Sequence, residues 1–165
     1  MDIYSFDLYE AARPNKVSYV KGLVTDAKSK LSLEAEIELI DLKTGEIVIS
    51  TRSDRKNGTF LATLPSNSNY GLHVRKDGYL FHSENFQLKT SSLEQPHELE
   101  VALNRIEAGK PIALRNVFFD TDKAVLLQES KSELETLITF LNTNSDIRIR
   151  IKGHTDNVGN DEHNL

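Results

Sequence analysis

The chain has 165 residues, with 20 Lys+Arg against 25 Asp+Glu, a formal net charge of −5, 38% hydrophobic and 27% charged residues, and no cysteine. The acidic balance argues against a nucleic-acid binder, which needs a basic face to meet phosphates, and against attraction to anionic lipid. The lack of cysteine excludes disulfides, thiol nucleophiles and Cys-ligated zinc, and no stretch approaches the roughly 20 apolar residues of a membrane-spanning helix.

The amino terminus, Met1-Asp2-Ile3-Tyr4-Ser5-Phe6-Asp7, has neither the basic n-region nor the apolar h-region of a signal peptide. The expectation is a protein that is not exported or a piece of a longer one. Residues 17–104 read as β. Val17–Val24 is rich in β-branched and aromatic residues, and Ile37–Leu42 alternates apolar and polar positions except at Ile40. Thr44-Gly45 supplies a turn before Glu46–Ile49, and Lys56-Asn57-Gly58 supplies a second before Thr59–Leu64, which Pro65 and a Ser/Asn cluster end. Tyr70–Val74, Tyr79-Leu80-Phe81 after the Asp77-Gly78 turn, and Leu99–Leu103 complete about seven short strands. That is the pattern of an all-β sandwich. Tyr70, Tyr79, Phe81 and Phe86 admit a carbohydrate platform, but alternating strand positions favour core and cross-strand packing.

Residues 105–111 form a Gly- and Pro-punctuated connector, after which the pattern becomes β-α-β. Ile112–Phe119 reads as a strand and Asp120-Thr121-Asp122-Lys123 as a loop. Leu127, Leu134, Leu137, Ile138 and Leu141 recur at helical spacing. Ser130-Lys131-Ser132-Glu133 has the form of a capping box, with a start one turn earlier as the alternative. Ile147, Ile149 and Ile151 alternate with Arg148, Arg150 and Lys152, the pattern of a half-buried strand with a solvated basic face. The densest polar cluster follows, from Gly153 to Asn164.

Val117-Phe118-Phe119-Asp120, the amphipathic helix, Ile147–Ile151 and then Gly153-His154-Thr155-Asp156-Asn157-Val158-Gly159 together resemble the OmpA-like C-terminal domain, a peptidoglycan-binding module. The resemblance implies non-covalent binding of diaminopimelate in the peptidoglycan stem peptide. It assigns Asp156 as the main acidic grip, Asn164 as the family's following Asn, and Thr155, Thr121 and Asp122 as lining residues. The chemistry is coherent. Diaminopimelate presents an ammonium that an aspartate can pair with and a carboxylate that an arginine can take bidentately. The family's arginine would fall beyond Leu165, so this chain carries half of that grip, and the expectation is a module truncated at its C-terminus.

Gly22-Leu23-Val24, Asn57-Gly58-Thr59-Phe60, Leu64-Pro65, Tyr70-Gly71-Leu72-His73-Val74 and Lys76-Asp77-Gly78-Tyr79 resemble carboxypeptidase-regulatory-like (transthyretin-like) domains. Asp2-Ile3-Tyr4-Ser5-Phe6 is similar to the end of an outer-membrane β-propeller repeat. The resemblances imply a segment 1–16, a β-sandwich 17–104, a linker 105–111 and a partial OmpA-like domain 112–165. They describe a Bacteroidetes-type envelope protein at the periplasmic face of the outer membrane, with peptidoglycan as partner, no cofactor and no catalytic residue. The alternative from a different class is a structural or protein-interaction sandwich with no wall binding.

Other readings of the same residues stay open. Thr121 and Asp122 with Asp120 also fit an Asx-type turn that caps the helix, and Asp156 fits a turn or cap residue. His154 fits a hydrogen-bonding role in its turn. His154, Asp156, Asp161 and His163 lack the i, i+4 spacing that would force convergence on a metal. No strained Ser elbow or phosphate-binding Gly loop points to an enzyme.

Overall fold

A computed structural model describes residues 5–9, 13, 16–89, 96–120 and 123–153. Seven strands form two sheets: β1 (Val17–Asp26), β2 (Glu36–Asp41), β3 (Glu46–Arg52), β4 (Thr59–Pro65), β5 (Ser68–Arg75), β6 (His82–Leu88) and β7 (His97–Leu103). One sheet runs β4-β1-β7, with β1 antiparallel to β4 and parallel to β7. The other runs β3-β2-β5-β6, antiparallel throughout. The all-β sandwich read from the sequence is therefore present.

Period-two alternation builds the core. In β1, Val20 and Val24 point inward, in β4 Phe60, Ala62 and Leu64, and in β7 Leu99, Val101 and Leu103. They meet Ile37, Leu39, Tyr70, Leu72, Val74, Phe86 and Leu88 of the second sheet. Each buried aliphatic or aromatic side chain contributes about 1.5–3 kcal/mol. Tyr70 and Phe86 face each other across β5 and β6, with ring centroids 5.9 Å apart. Tyr70, Tyr79, Phe81 and Phe86 are all buried, so they pack the protein and present no platform.

Ile40, the break in the alternation of β2, sits where the β2–β3 register shifts between Leu39 and Ile40. The extra residue is Val48 of β3, and β2 itself stays in regular register with β5, so ordinary alternation puts Ile40 on the opposite face from Leu39, where both are buried. The Asn57-Gly58 turn is as expected. Asp54 Oδ1 accepts the amides of Lys56 and Asn57. Gly58 adopts φ +71° with its Cβ position 2.4 Å from Val24 O, a place only glycine can occupy.

One strand differs from expectation. Tyr79-Leu80-Phe81 is not a strand: Tyr79 makes one isolated bridge to Arg105, and β6 begins at His82. Tyr79 is instead drawn to Asp26. The carboxylate of Asp26 accepts the Tyr79 hydroxyl at 2.8 Å, Arg105 Nε at 3.2 Å and the amides of Lys28 and Ser29. The bonds from Ser29, Tyr79 and Lys28, led by the Ser29 amide, hold the Asp26 carboxyl well below the usual carboxylate range despite its burial. Burial and the bond to Asp26 push the Tyr79 hydroxyl up. Arg105 also lies over the Tyr79 ring. This cluster fastens the start of the connector to the sandwich.

Helix α1 (Lys131–Thr143) follows a 3-10 turn at Gln128–Ser130. Leu137 and Phe140 pack on Leu80 and Phe81 in a second apolar cluster, flanked by Ile106, Ile112, Leu114, Leu141 and Ile147. The Phe81 and Phe140 rings meet edge to face at 5.6 Å.

The two segments expected as strands beside α1 are not strands among the described residues. Residues 112–119 contribute only an isolated Phe119–Leu126 bridge, and 147–151 runs without ladder pairing. Ile147 is half-buried, but Ile149 and Ile151 are 44% and 71% exposed. Alternation prepares a strand face, but a strand exists only when a neighbour takes its backbone hydrogen bonds.

Candidate functional site

The ligand residues expected from the sequence, Thr121, Asp122, Thr155, Asp156 and Asn164, lie outside the described residues, as do His154, Asp161 and His163. The frame around the first two is described. The chain leaves Phe118, turns and returns at Leu127, with Asp120 N donating to Val125 O and Leu127 N to Phe118 O. Lys123 Nζ pairs with Asp120 Oδ2 across this turn. At its base, Ser130 Oγ accepts the Phe118 amide at 2.8 Å and donates to the Phe118 carbonyl at 2.9 Å.

That double bond corrects the capping-box expectation. Ser130 occupies the N-cap position of α1, yet its hydroxyl makes no cap bond to the helix. Glu133 does not reach back to it either; the carboxylate is fully buried under the helix. Glu133 Oε2 accepts three hydrogen bonds: from His73 Nε2 at 2.7 Å, Ser83 Oγ at 2.6 Å and Asn116 Nδ2 at 3.0 Å. Asn116 Nδ2 also reaches Ser83 Oγ at 2.9 Å. Thr136 Oγ1 lies 2.8 Å from His73 Nδ1.

Strand geometry explains the convergence. His73 and Ser83 are direct cross-strand partners on β5 and β6, on the face of the sheet turned away from the sandwich core. Gly71, two residues before His73, leaves room above the sheet. A Cβ there would lie 3.3 Å from Asn116 Nδ2 and 3.1 Å from Leu42 Cδ2. Glu133, Thr136, Leu137 and Phe140 stand at i, i+3, i+4 and i+7, so one helical face carries both the polar and the apolar contacts. Burial is the largest influence on the Glu133 carboxyl and opposes its charge. The bonds from His73, Ser83 and Asn116, with the attraction of His73, outweigh it and hold the group below its ordinary range.

Thr136, His73 and Glu133 form a hydroxyl–imidazole–carboxylate chain, the composition of a nucleophilic triad. Its surroundings do not suit catalysis. Thr136 and His73 are 4% and 1% exposed, closed between helix and sheet. Neither of two surface cavities, of about 670 and 290 Å³, is lined by them. A substrate cannot reach the hydroxyl, and the group acts as a buried polar lock. The larger cavity lies between Lys43, Asn67–Asn69, Val117–Phe119 and Leu127. Among the described residues, no three His, Asp or Glu side chains are grouped to hold a metal ion.

Sequence reasoning missed this cluster. One signal was present. An acid at 133 shares a helical face with Leu137 and Phe140, and a histidine sits inside the apolar Tyr70–Val74 strand. Each is a polar group at a core position, which demands a buried partner.

Residues 118–165 match the model of the OmpA family. No curated protein matches the chain. Among solved structures, the chain is similar to the crystal structure of S.CueP, at 16% identity and a TM-score of 0.42, with 52% of this chain and 60% of that chain covered. It is also similar to the C-terminal domain of the shaft pilin spaA from Lactobacillus rhamnosus GG, at 15% identity and a TM-score of 0.36, with 55% and 99% covered.

Proposed function

We propose that this chain is part of a non-catalytic cell-envelope protein that links the outer membrane to peptidoglycan, acting on the periplasmic side. The family match over residues 118–165, which contains Gly153-His154-Thr155-Asp156, carries the reading. On it, Asp156 pairs with the ammonium of diaminopimelate in the stem peptide, and Thr155, Asn164, Thr121 and Asp122 line the site. The unit from residue 112 onward supplies the wall contact, the sandwich of 17–104 serves as spacer or protein-contact module, and 105–111 joins them. No helix among the described residues is long and apolar enough to cross a membrane.

The test is titration of the isotope-labelled chain with a soluble diaminopimelate-containing stem peptide. Small, saturable shifts at Gly153–Asp156 that Asp156→Ala removes are expected. Shifts unaffected by Asp156→Ala, or no shift at high peptide concentration, would refute the assignment.

The second reading, a purely structural interaction module, draws on the docking of α1 against the sandwich. It requires that sacculi and stem peptide leave the spectrum unchanged while the fold stays intact.

A further inference from the structure

We infer that the β-sandwich positions the two described arms that flank residues 121 and 122 in the chain, 118–120 and 123–127, with His73, Ser83, Asn116 and Glu133 as positioning residues that act through Phe118 and Ser130. The inference rests on the wall-binding reading for its functional meaning, and its structural content stands on geometry alone.

The turn between Phe118 and Leu127 has two roots. One is local: Ser130 Oγ bonds both the amide and the carbonyl of Phe118. The other runs into the sandwich. Asn116, two residues before Phe118, is fully buried and donates from Nδ2 to Glu133, Ser83 Oγ and the carbonyl of Glu84. Glu133, three residues after Ser130, is held by His73 and Ser83. Both arms of the turn are thus tied, within a few residues, to one cross-strand pair on β5 and β6.

Polar groups suit this task better than apolar ones. Hydrogen bonds of 2.6–3.0 Å to one carboxylate oxygen fix direction as well as distance, whereas an apolar contact tolerates sliding. A helix docked only through Leu137 and Phe140 could shift along the sheet and carry the turn with it. With Glu133 seated between His73 and Ser83, one register satisfies the buried donors. Burial of all five polar side chains keeps water from substituting for them.

The experiment is amide hydrogen exchange on the full chain, comparing wild type with Asn116→Ala and Glu133→Ala. Asn116→Ala cuts the tie to the turn but leaves the His73–Glu133 pair. The Leu127 and Asp120 amides, which bond Phe118 O and Val125 O, are expected to exchange at least tenfold faster. The helix amides of Leu137 and Phe140 and the strand amides of Val20 and Leu72 are expected to stay within about twofold. Glu133→Ala is expected to release both the turn and the helix while the strand amides hold. Unchanged Leu127 and Asp120 amides in Asn116→Ala would overturn the inference. So would an equal acceleration of all amides, because that reports a general loss of stability.

No ligand is needed for this readout. If the exchange pattern appears and wild type shows no stem-peptide shifts, the positioning role stands and the ligand reading falls.

Discussion

The His73–Glu133 pair can be tested by a double-substitution cycle. Glu133→Leu leaves the His73 ring, the Ser83 hydroxyl and the Asn116 amide without their shared acceptor in a closed space. Removing one partner of a buried pair costs about 3–5 kcal/mol. Opposing that loss at the interface are chiefly Leu137 and Phe140, at about 1.5–3 kcal/mol each. The two amounts are similar, so the helix is expected to leave the sandwich while the sandwich, whose core cluster contains no residue of α1, stays folded. His73→Leu alone strands the Glu133 charge and is expected to do the same. The double Leu variant replaces the pair with apolar volume and is expected to recover most of the loss, because an apolar substitute for a buried pair is often neutral or better. Urea unfolding provides the assay. Circular dichroism at 222 nm follows the helix, and tyrosine fluorescence follows the sandwich, whose core includes Tyr70 and Tyr79, in a chain with no tryptophan. Each single variant should show helix loss before the tyrosine transition, with a favourable coupling of about 2–3 kcal/mol across the cycle. Coincident transitions at the wild-type midpoint in Glu133→Leu, or a double variant as unstable as the two singles combined, would refute the lock.

Two further predictions concern the sandwich and its acid response. Gly22→Ala would place a Cβ 2.0 Å from Phe60 Cε1, forcing the buried ring aside. A loss of about 1–3 kcal/mol in urea is expected, with partial recovery on adding Phe60→Leu, and an unchanged midpoint would contradict the packing described. The carboxyls of Asp26 and Glu133 are held below their ordinary range in the folded state. They bind fewer protons when folded than when unfolded. Their stabilisation is therefore complete above the usual carboxylate range and is lost as pH falls through the depressed folded-state values. Stability measured from pH 7 down to 2 should accordingly fall less steeply in Asp26→Asn than in wild type, and an identical slope would count against the Asp26 cluster.

The sandwich was legible because its signals are local. Alternation in β1, β4 and β7 and the Asn57-Gly58 turn depend on side-chain period and backbone sterics, which a short stretch of chain carries by itself. β6 was misplaced for the opposite reason. His82–Leu88 carries only Phe86 and Leu88 as apolar residues, and it becomes a strand by taking hydrogen bonds from β5. Tyr79–Phe81 looks more strand-like by composition but is claimed by Asp26 and by the helix.

The same division governs the candidate site. The sequence alone determined that Gly153-His154-Thr155-Asp156 follows a helical pattern and an alternating Ile segment, because motif order is read along the chain. It could not decide the partner of Glu133. Ser130 and Glu133 have capping-box spacing, and that local pattern competed with a buried histidine 60 residues away. Tertiary structure settled the competition. Once Leu137 and Phe140 face the sheet, helical geometry turns Glu133 the same way, and a carboxylate closed off from water must take the donors that the sheet presents.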